Sequence, residues 1–156
     1  MSFIFPKHAR EYFRPCDQRK DGGPKFDAMF DQYYLCLMLG LDARQIGEEN
    51  HLESSKFVEK YPENYLNQAD VIAGLLIDAE LDRKAVEKDD RQSVEQEMLG
   101  LLDVQSPTRL SSEGNHLLNL YAAAGFDLLR DQIPQPQTVE DFLVAYHQLW
   151  NQKEEG

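Results

Sequence analysis

Residues 65–81 read YLNQADVIAGLLIDAEL, the stretch of this chain that is apolar around the largest part of a helical circumference. At about 100° per residue, its apolar side chains spread over roughly 200°, and its polar side chains occupy the remaining strip. A helix that is apolar on so many sides needs neighbours around most of its circumference. We therefore predict an all-α, single-domain helical bundle of five to six helices around a central helix at about residues 65–82.

Other windows of the chain repeat apolar residues at steps of three and four, which is typical of amphipathic helices. The first of these helices is predicted to end near Gly40, and residues 153–156 are expected to be a frayed tail. No run alternates polar and apolar residues for long enough to predict a strand. The predicted helix starts or caps are, in chain order, Pro24, Lys56, Asn64, Arg91, Ser111 or Ser112, and Thr138.

Small residues mark one place where two helices are predicted to approach closely. The run Ala122–Gly125 leaves a nearly flat patch on its helix, which favours close packing against a neighbour. Gly74 lies on the stretch predicted to be central, so it is the natural counterpart of this patch. We therefore expect the two helices to cross at Gly74.

The first 23 residues have an unusual composition for a chain terminus. They mix prolines and a glycine pair with apolar and aromatic residues, whereas disordered segments are poor in aromatic residues. We therefore predict an irregular or briefly helical arm, residues 1–23, packed on an all-α domain that spans residues 24–152. The apolar and aromatic residues of this arm are Phe3, Ile4, Phe5, Tyr12 and Phe13.

Charge is distributed unevenly along the 156 residues, which carry a net charge of −12. Residues 1–25 hold six basic and three acidic side chains, a net of +3, so residues 26–156 carry −15. An acidic body repels phosphate backbones, so direct nucleic-acid binding would have to use the arm. The structural alternative is that acidic residues keep the chain soluble and that the basic arm folds back on the body.

The cysteine content and the hydropathy pattern indicate the cellular compartment in which the protein is expected. Cys16 and Cys36 lie in separate segments without a CxxC or Cys/His spacing, which favours buried thiols over a zinc site or a disulfide scaffold. The longest uncharged windows are shorter than the roughly 18 residues that a membrane-spanning helix needs. We expect a soluble cytoplasmic protein that makes no membrane contact.

Sequence signatures of catalysis are mostly missing. The chain contains no glycine-rich phosphate loop, no GxSxG elbow and no HExxH pair. Gly22-Gly23 precedes a predicted helix, but it lacks the preceding strand and the lysine that a phosphate-binding loop requires. We therefore expect no cofactor, and an enzymatic role is the less favoured interpretation.

A metal site is the one chemical constellation that the sequence offers. Helical di-iron proteins use two ExxH motifs together with glutamates from two other helices. In this chain Glu48 with His51 and Glu113 with His116 match ExxH, and Glu80 would be a further ligand. The alternative is that both glutamates are exposed near helix starts and that the histidines lie at the surface.

Two groups of residues are candidates for binding a partner. The first is the acidic line on the helix at 65–82, which is otherwise a solvated face. The second is the arm, where aromatic and basic residues alternate as they do on stacking surfaces for single-stranded nucleic acid, unless they pack on the body. The candidates are Phe3, Phe5, Lys7, Arg10, Tyr12, Phe13, Arg14, Asp70, Asp78 and Asp82.

The missing motifs and the helical pattern favour a non-catalytic, acidic, all-α protein-interaction subunit or adaptor. Its expected partner is a protein, with a basic protein as one option, and its oligomeric state stays open. A second hypothesis is an acidic DNA mimic or regulatory subunit of a prokaryotic DNA-processing or defence complex, whose carboxylates occupy a basic groove. A third is a small helical metal-binding protein or enzyme that uses the two ExxH pairs.

Overall fold

The computed structural model describes residues 2–155, and within that range it is mostly helical with one small sheet. Short 3₁₀ helices at Glu49–His51 and Glu63–Gln68 join some of the regular elements. The elements are β1 (Phe3–Pro6), α1 (Ala9–Asp17), α2 (Met29–Ala43), β2 (Leu52–Val58), α3 (Ala69–Arg83), α4 (Arg91–Leu101), α5 (Ser112–Gln132) and α6 (Val139–Glu155). The helical prediction is therefore confirmed in its coarse form, and the sheet is an addition to it.

The centre of the fold is α5. This 21-residue helix is buried along most of its length, including Leu118, Tyr121 and Phe126. The prediction of a central helix at residues 65–82 is wrong in this respect, because α3 buries one stripe that includes Ile72 and Leu76 and leaves Val71 exposed. A helix can be apolar on several sides without lying at the centre of the core. One apolar side of α3 faces a surface groove instead of the core.

The closest helix–helix contact joins α2 to α5 through two glycines. A Cβ atom built on Gly40 would lie 1.9 Å from the carbonyl oxygen of Tyr121, and one built on Gly125 would lie 1.7 Å from that of Cys36. The predicted close approach at Ala122–Gly125 is thus confirmed. Gly74 was the wrong counterpart, because a Cβ there would meet nothing within 4 Å among residues 2–155 outside its own helix and neighbours.

The amino-terminal arm contains a strand, which was not predicted, and a brief helix, whereas residues 18–23 are irregular. Its strand β1 pairs antiparallel with β2, with Phe3 opposite Val58 and Pro6 opposite Leu52. The side chain of Asn119 on α5 fixes β1, because its Oδ1 accepts from the Ile4 backbone N–H at 3.0 Å. Buried core residues of β1 and α1 include Phe3, Ile4, Phe5, Tyr12 and Phe13. The arm therefore contributes to the hydrophobic core.

The short helix predicted to start at Lys56 is wrong, because Leu52–Val58 is strand β2. The two-stranded sheet has an irregular register, and the middle of β2 is exposed. A strand of this kind has no alternating pattern of buried and exposed residues. The signal that would have revealed it is therefore missing from the sequence.

Several predicted helix ends are confirmed by capping hydrogen bonds. Ser111 Oγ accepts from the Gly114 N–H at 3.1 Å, and Thr138 Oγ1 accepts from the Asp141 N–H at 3.1 Å. Asn64 lies within the second 3₁₀ helix rather than at an α-helical cap. Three further boundaries differ: α2 begins at residue 29 rather than at Pro24, it continues past residue 40 to residue 43, and residues 153–155 are helical. Met1 and Gly156, the ends of the predicted arm and tail, lie outside the described residues.

Candidate partner-binding site

The outer face of α2 lies beneath two surface cavities, which share no lining residue and which together we call the α2 groove. Helix α2 packs on α5 through its other side, as the two glycine contacts show. The floor residues are Asp31, Tyr34, Leu35, Met38, Leu41 and Asp42. At about 100° per residue they fall within an arc of roughly 120°, and at 1.5 Å per residue they span about 16 Å. The floor is therefore about three helical turns long.

Two helical segments form the walls of the α2 groove. One wall consists of Tyr65 and of Leu75 on α3, and the other consists of Val139, Leu143 and Trp150 on α6. A cavity of about 410 Å³ lies over the start of α2, and one of about 270 Å³ lies over its end. Because both walls advance in the same direction as the floor, the groove follows the axis of α2.

Tyrosine hydroxyls attach both walls to the floor. Tyr65 donates to Asp31 Oδ1 at 2.5 Å, and its ring packs edge-on against Tyr34 with centroids 5.3 Å apart. On the other side Tyr146 donates to the carbonyl oxygen of Leu35 at 2.6 Å. Burial raises the pKa of both Tyr65 and Tyr146, so both hydroxyls remain protonated donors at neutral pH. The groove is thus a fixed feature of the fold.

The groove presents apolar surface within an acidic rim. Leu75 lines the cavity over the end of α2 and is 39 % exposed, and Leu143 lines the cavity over its start and is 46 % exposed, which is high for large apolar side chains. The charged lining residues are Asp27, Asp31, Asp42, Asp78, Lys25 and Arg44. Four carboxylates and two cations give the lining itself a net charge of −2, and two of these carboxylates are paired with lysines outside the lining, Asp42 with Lys153 at 3.3 Å and Asp78 with Lys88 at 2.9 Å.

The acidic line predicted on α3 is largely neutralised within the chain. Arg44 donates to Asp78 at 2.7 Å and to Asp82 at 3.0 Å, and Lys88 lies 2.9 Å from Asp78. The hydrogen bond from Arg44 lowers the pKa of Asp82, so its carboxylate is ionised at neutral pH. Asp70, which lies about two helical turns before Asp78 on α3, is exposed. A phosphate-mimicking surface would have to be free of such cations, so these contacts weaken the DNA-mimic hypothesis at α3.

The structure does not assemble the predicted stacking surface of the arm. Its aromatic members Phe3, Phe5, Tyr12 and Phe13 are buried. Arg10 donates to both carboxylate oxygens of Glu53, at 2.7 and 2.9 Å. Arg14 is exposed on α1, and Lys7 lines a separate polar pocket. The basic side chains of the arm are therefore dispersed around a buried aromatic cluster.

The two ExxH pairs do not converge either. His51 Nδ1 accepts from the backbone N–H of Glu48 at 3.1 Å, whereas His116 Nε2 lies 3.1 Å from Glu49 rather than beside Glu113. Within residues 2–155, no three His, Cys, Asp or Glu side chains are grouped so that they could hold a metal ion. Cys16 and Cys36 are both buried free thiols, and burial raises the pKa of Cys16 to about 11.

Glu80, the remaining metal candidate, is a buried structural carboxylate. It accepts from Arg83 at 2.6 and 2.9 Å and from the Tyr121 hydroxyl at 2.6 Å. Burial raises the pKa of Glu80, but hydrogen bonds from Arg83 and Tyr121 outweigh that effect and hold the pKa below its ordinary value. Sequence reasoning missed this network, although Glu80 and Arg83 are spaced for an ion pair within one helix.

Replacing this carboxylate by an amide, as in Glu80→Gln, should destabilise the fold by about 2–3 kcal/mol at neutral pH, because it removes the buried charge that Arg83 faces. Because the pKa of Glu80 is lower in the folded than in the unfolded protein, its ionised carboxylate stabilises the fold at pH values above the unfolded-state pKa. That stability is lost as the pH falls through the folded-state pKa. The difference in Tm between wild type and variant should therefore shrink below about pH 4.5. Glu59→Gln, at an exposed ion pair with Lys56, is the control and should change Tm little. A Tm difference that does not depend on pH would contradict the role of the Glu80 charge.

Comparisons with known proteins add no relative to this description. A scan against family models gave no match, and neither did searches of the curated proteins and of the solved structures. Among the described residues, none of the helices has the length and apolarity needed to cross a membrane.

Proposed function

We propose that this protein is a non-catalytic interaction subunit that binds a basic amphipathic helix of a partner protein in the α2 groove. The observation that carries the proposal is the exposure of Leu75 and Leu143 in two cavities that follow one another along α2, on a chain with a net charge of −12. Helix-in-groove recognition requires an apolar floor and walls set along one axis. The α2 groove has this arrangement over about three helical turns.

Charge selects the partner. The whole chain has a net charge of −12, so a helix with lysine or arginine beside its apolar stripe is attracted and an acidic helix is repelled. The apolar stripe would repeat at steps of three and four residues, as the floor of the groove does. Rim charges act mainly on the association rate, so binding should weaken as salt increases.

Leu143→Asp should abolish selection of such helices, because it places a carboxylate where apolar surface is buried. The matched control is Val144→Asp: Val144 is the next residue on α6 and is 58 % exposed, but it does not line the groove. The loss of one buried leucine corresponds to about tenfold or more in affinity. A displayed library of helical peptides with varied charge and apolar spacing, selected on immobilised wild-type protein and then titrated by fluorescence anisotropy, measures this effect.

We expect basic amphipathic sequences to be enriched on wild type and on Val144→Asp, and to be lost on Leu143→Asp. Enrichment that ignores charge, or peptides that bind Leu143→Asp as tightly as wild type, would reject the α2 groove as the site. A library that yields no binder to wild-type protein would reject the helix-binding function itself.

A further inference from the structure

A second cavity lies on another side of the molecule and shares no lining residue with the α2 groove. Its volume is about 480 Å³, and it is formed by the turn between β1 and α1, the 3₁₀ helix at Glu49–His51 and the outer face of α5. Its charged and titratable side chains are Lys7, His8, His51, Asp127, Arg130 and Asp131. This polar cavity contains Lys7, a cationic candidate of the arm that the interaction function leaves unused.

Backbone contacts fix the walls of the polar cavity relative to one another. The Lys7 N–H donates to the carbonyl oxygen of His51 at 2.8 Å, and the Gly47 N–H donates to that of Leu120 on α5 at 2.8 Å. The Glu48 N–H donates to His51 Nδ1 at 3.1 Å, so the neutral ring carries its proton on Nε2. His51 therefore offers a hydrogen-bond donor at a defined position.

Charge within the polar cavity is balanced. Arg130 and Asp127 satisfy each other, with Nη2 and Oδ1 3.1 Å apart, and the Arg130 guanidinium lies 5.0 Å from the centroid of the Phe126 ring. Among residues 2–155, the Lys7 ammonium and the Asp131 carboxylate are in no ion pair. The cavity thus offers one cation and one anion to a ligand, together with imidazole donors.

We propose that this cavity binds a small zwitterion of the amino-acid class. The ligand carboxylate is held by Lys7 and by the Nε2–H of His51, and the ligand ammonium is held by Asp131. A free anion such as phosphate would use the cationic half alone and would meet the repulsion of a chain with net charge −12. A zwitterion has no net charge, so it escapes that repulsion and uses both halves.

The test titrates the full-length protein with the standard amino acids at millimolar concentration and follows backbone amide shifts by NMR. For the best ligand, two analogues remove one charge each: the amino acid amide lacks the carboxylate, and the N-acetyl amino acid lacks the ammonium. Each analogue should bind wild-type protein more weakly by up to about fivefold, as expected for the loss of one exposed charge pair. Inorganic phosphate, added in place of the amino acid, should bind more weakly than the zwitterion.

Two variants assign the charges to residues. Lys7→Gln should bind the amino acid and its amide equally, and Asp131→Asn should bind the amino acid and its N-acetyl form equally, because each variant has lost the partner of the removed charge. Lys60→Gln, an exposed change outside the cavity, should retain the wild-type preferences. The proposal is overturned if no amino acid shifts the resonances of the cavity, if phosphate binds more tightly, or if either variant keeps the wild-type discrimination.

Discussion

Replacing Gly125 by alanine should destabilise the protein by about 3 kcal/mol or more, and replacing it by valine should prevent folding. The added Cβ would lie 1.7 Å from the Cys36 carbonyl oxygen and 2.8 Å from the Gly40 backbone nitrogen. These are backbone atoms of α2, so no rotamer change can relieve the overlap. Helix α2 would have to move away from α5, the pair that holds the centre of the core.

The measurement is urea denaturation of Gly125→Ala beside Gly74→Ala as control. Gly74 lies in the interior of α3, and a Cβ there meets nothing within 4 Å outside its own helix and neighbours among the described residues. Alanine at this position should leave stability unchanged or raise it by up to about 1 kcal/mol, through its higher helix propensity. Similar midpoints for both alanine variants would contradict the close α2–α5 contact.

The comparison of these two glycines shows how far the sequence determines the fold. Helical periodicity located most of the helices, and serine and threonine marked the caps at Ser111 and Thr138, because these signals are local. Which helix lies at the centre of the core depends on tertiary packing and not on local sequence. The stretch that became α3 is as apolar as a central helix, yet part of its apolar surface forms a groove wall through Leu75.

The candidate site was only partly predictable. Residues 29–43 contain more apolar side chains than the face of α2 that packs on α5 can hold. The additional residues Tyr34, Leu35 and Met38 indicated a second apolar face of this helix. The walls were not predictable, because Leu75 and Leu143 are far apart in sequence. The polar cavity depends in the same way on tertiary packing, which brings Lys7 of the β1–α1 turn and Asp131 of α5 to the lining of one cavity.

Deleting residues 1–23 should prevent the protein from folding, at low and at high salt alike. The deletion removes Phe3, Phe5 and Phe13, whose side chains are completely buried. Truncating one such ring costs about 3–5 kcal/mol, and a whole domain is stable by about 5–15 kcal/mol. Arg10 also connects the arm to Glu53, and the largely buried Arg19 side chain connects it to the exposed Glu140, but ion pairs that water reaches contribute little.

A single substitution measures the same effect on a protein that still folds. The Phe3 ring lies 5.0 Å from that of Phe30, 5.5 Å from that of Tyr33 and 5.0 Å from that of Tyr61, so Phe3→Ala leaves a cavity among three aromatic residues. We expect it to lower the free energy of unfolding by about 3–5 kcal/mol, with little dependence on salt because the lost contacts are apolar. Lys20→Ala, an exposed change in the same arm, is the matched control and should stay within about 0.5 kcal/mol of wild type. If Phe3→Ala and the truncated chain both unfold at the wild-type urea midpoint, the arm is not part of the core.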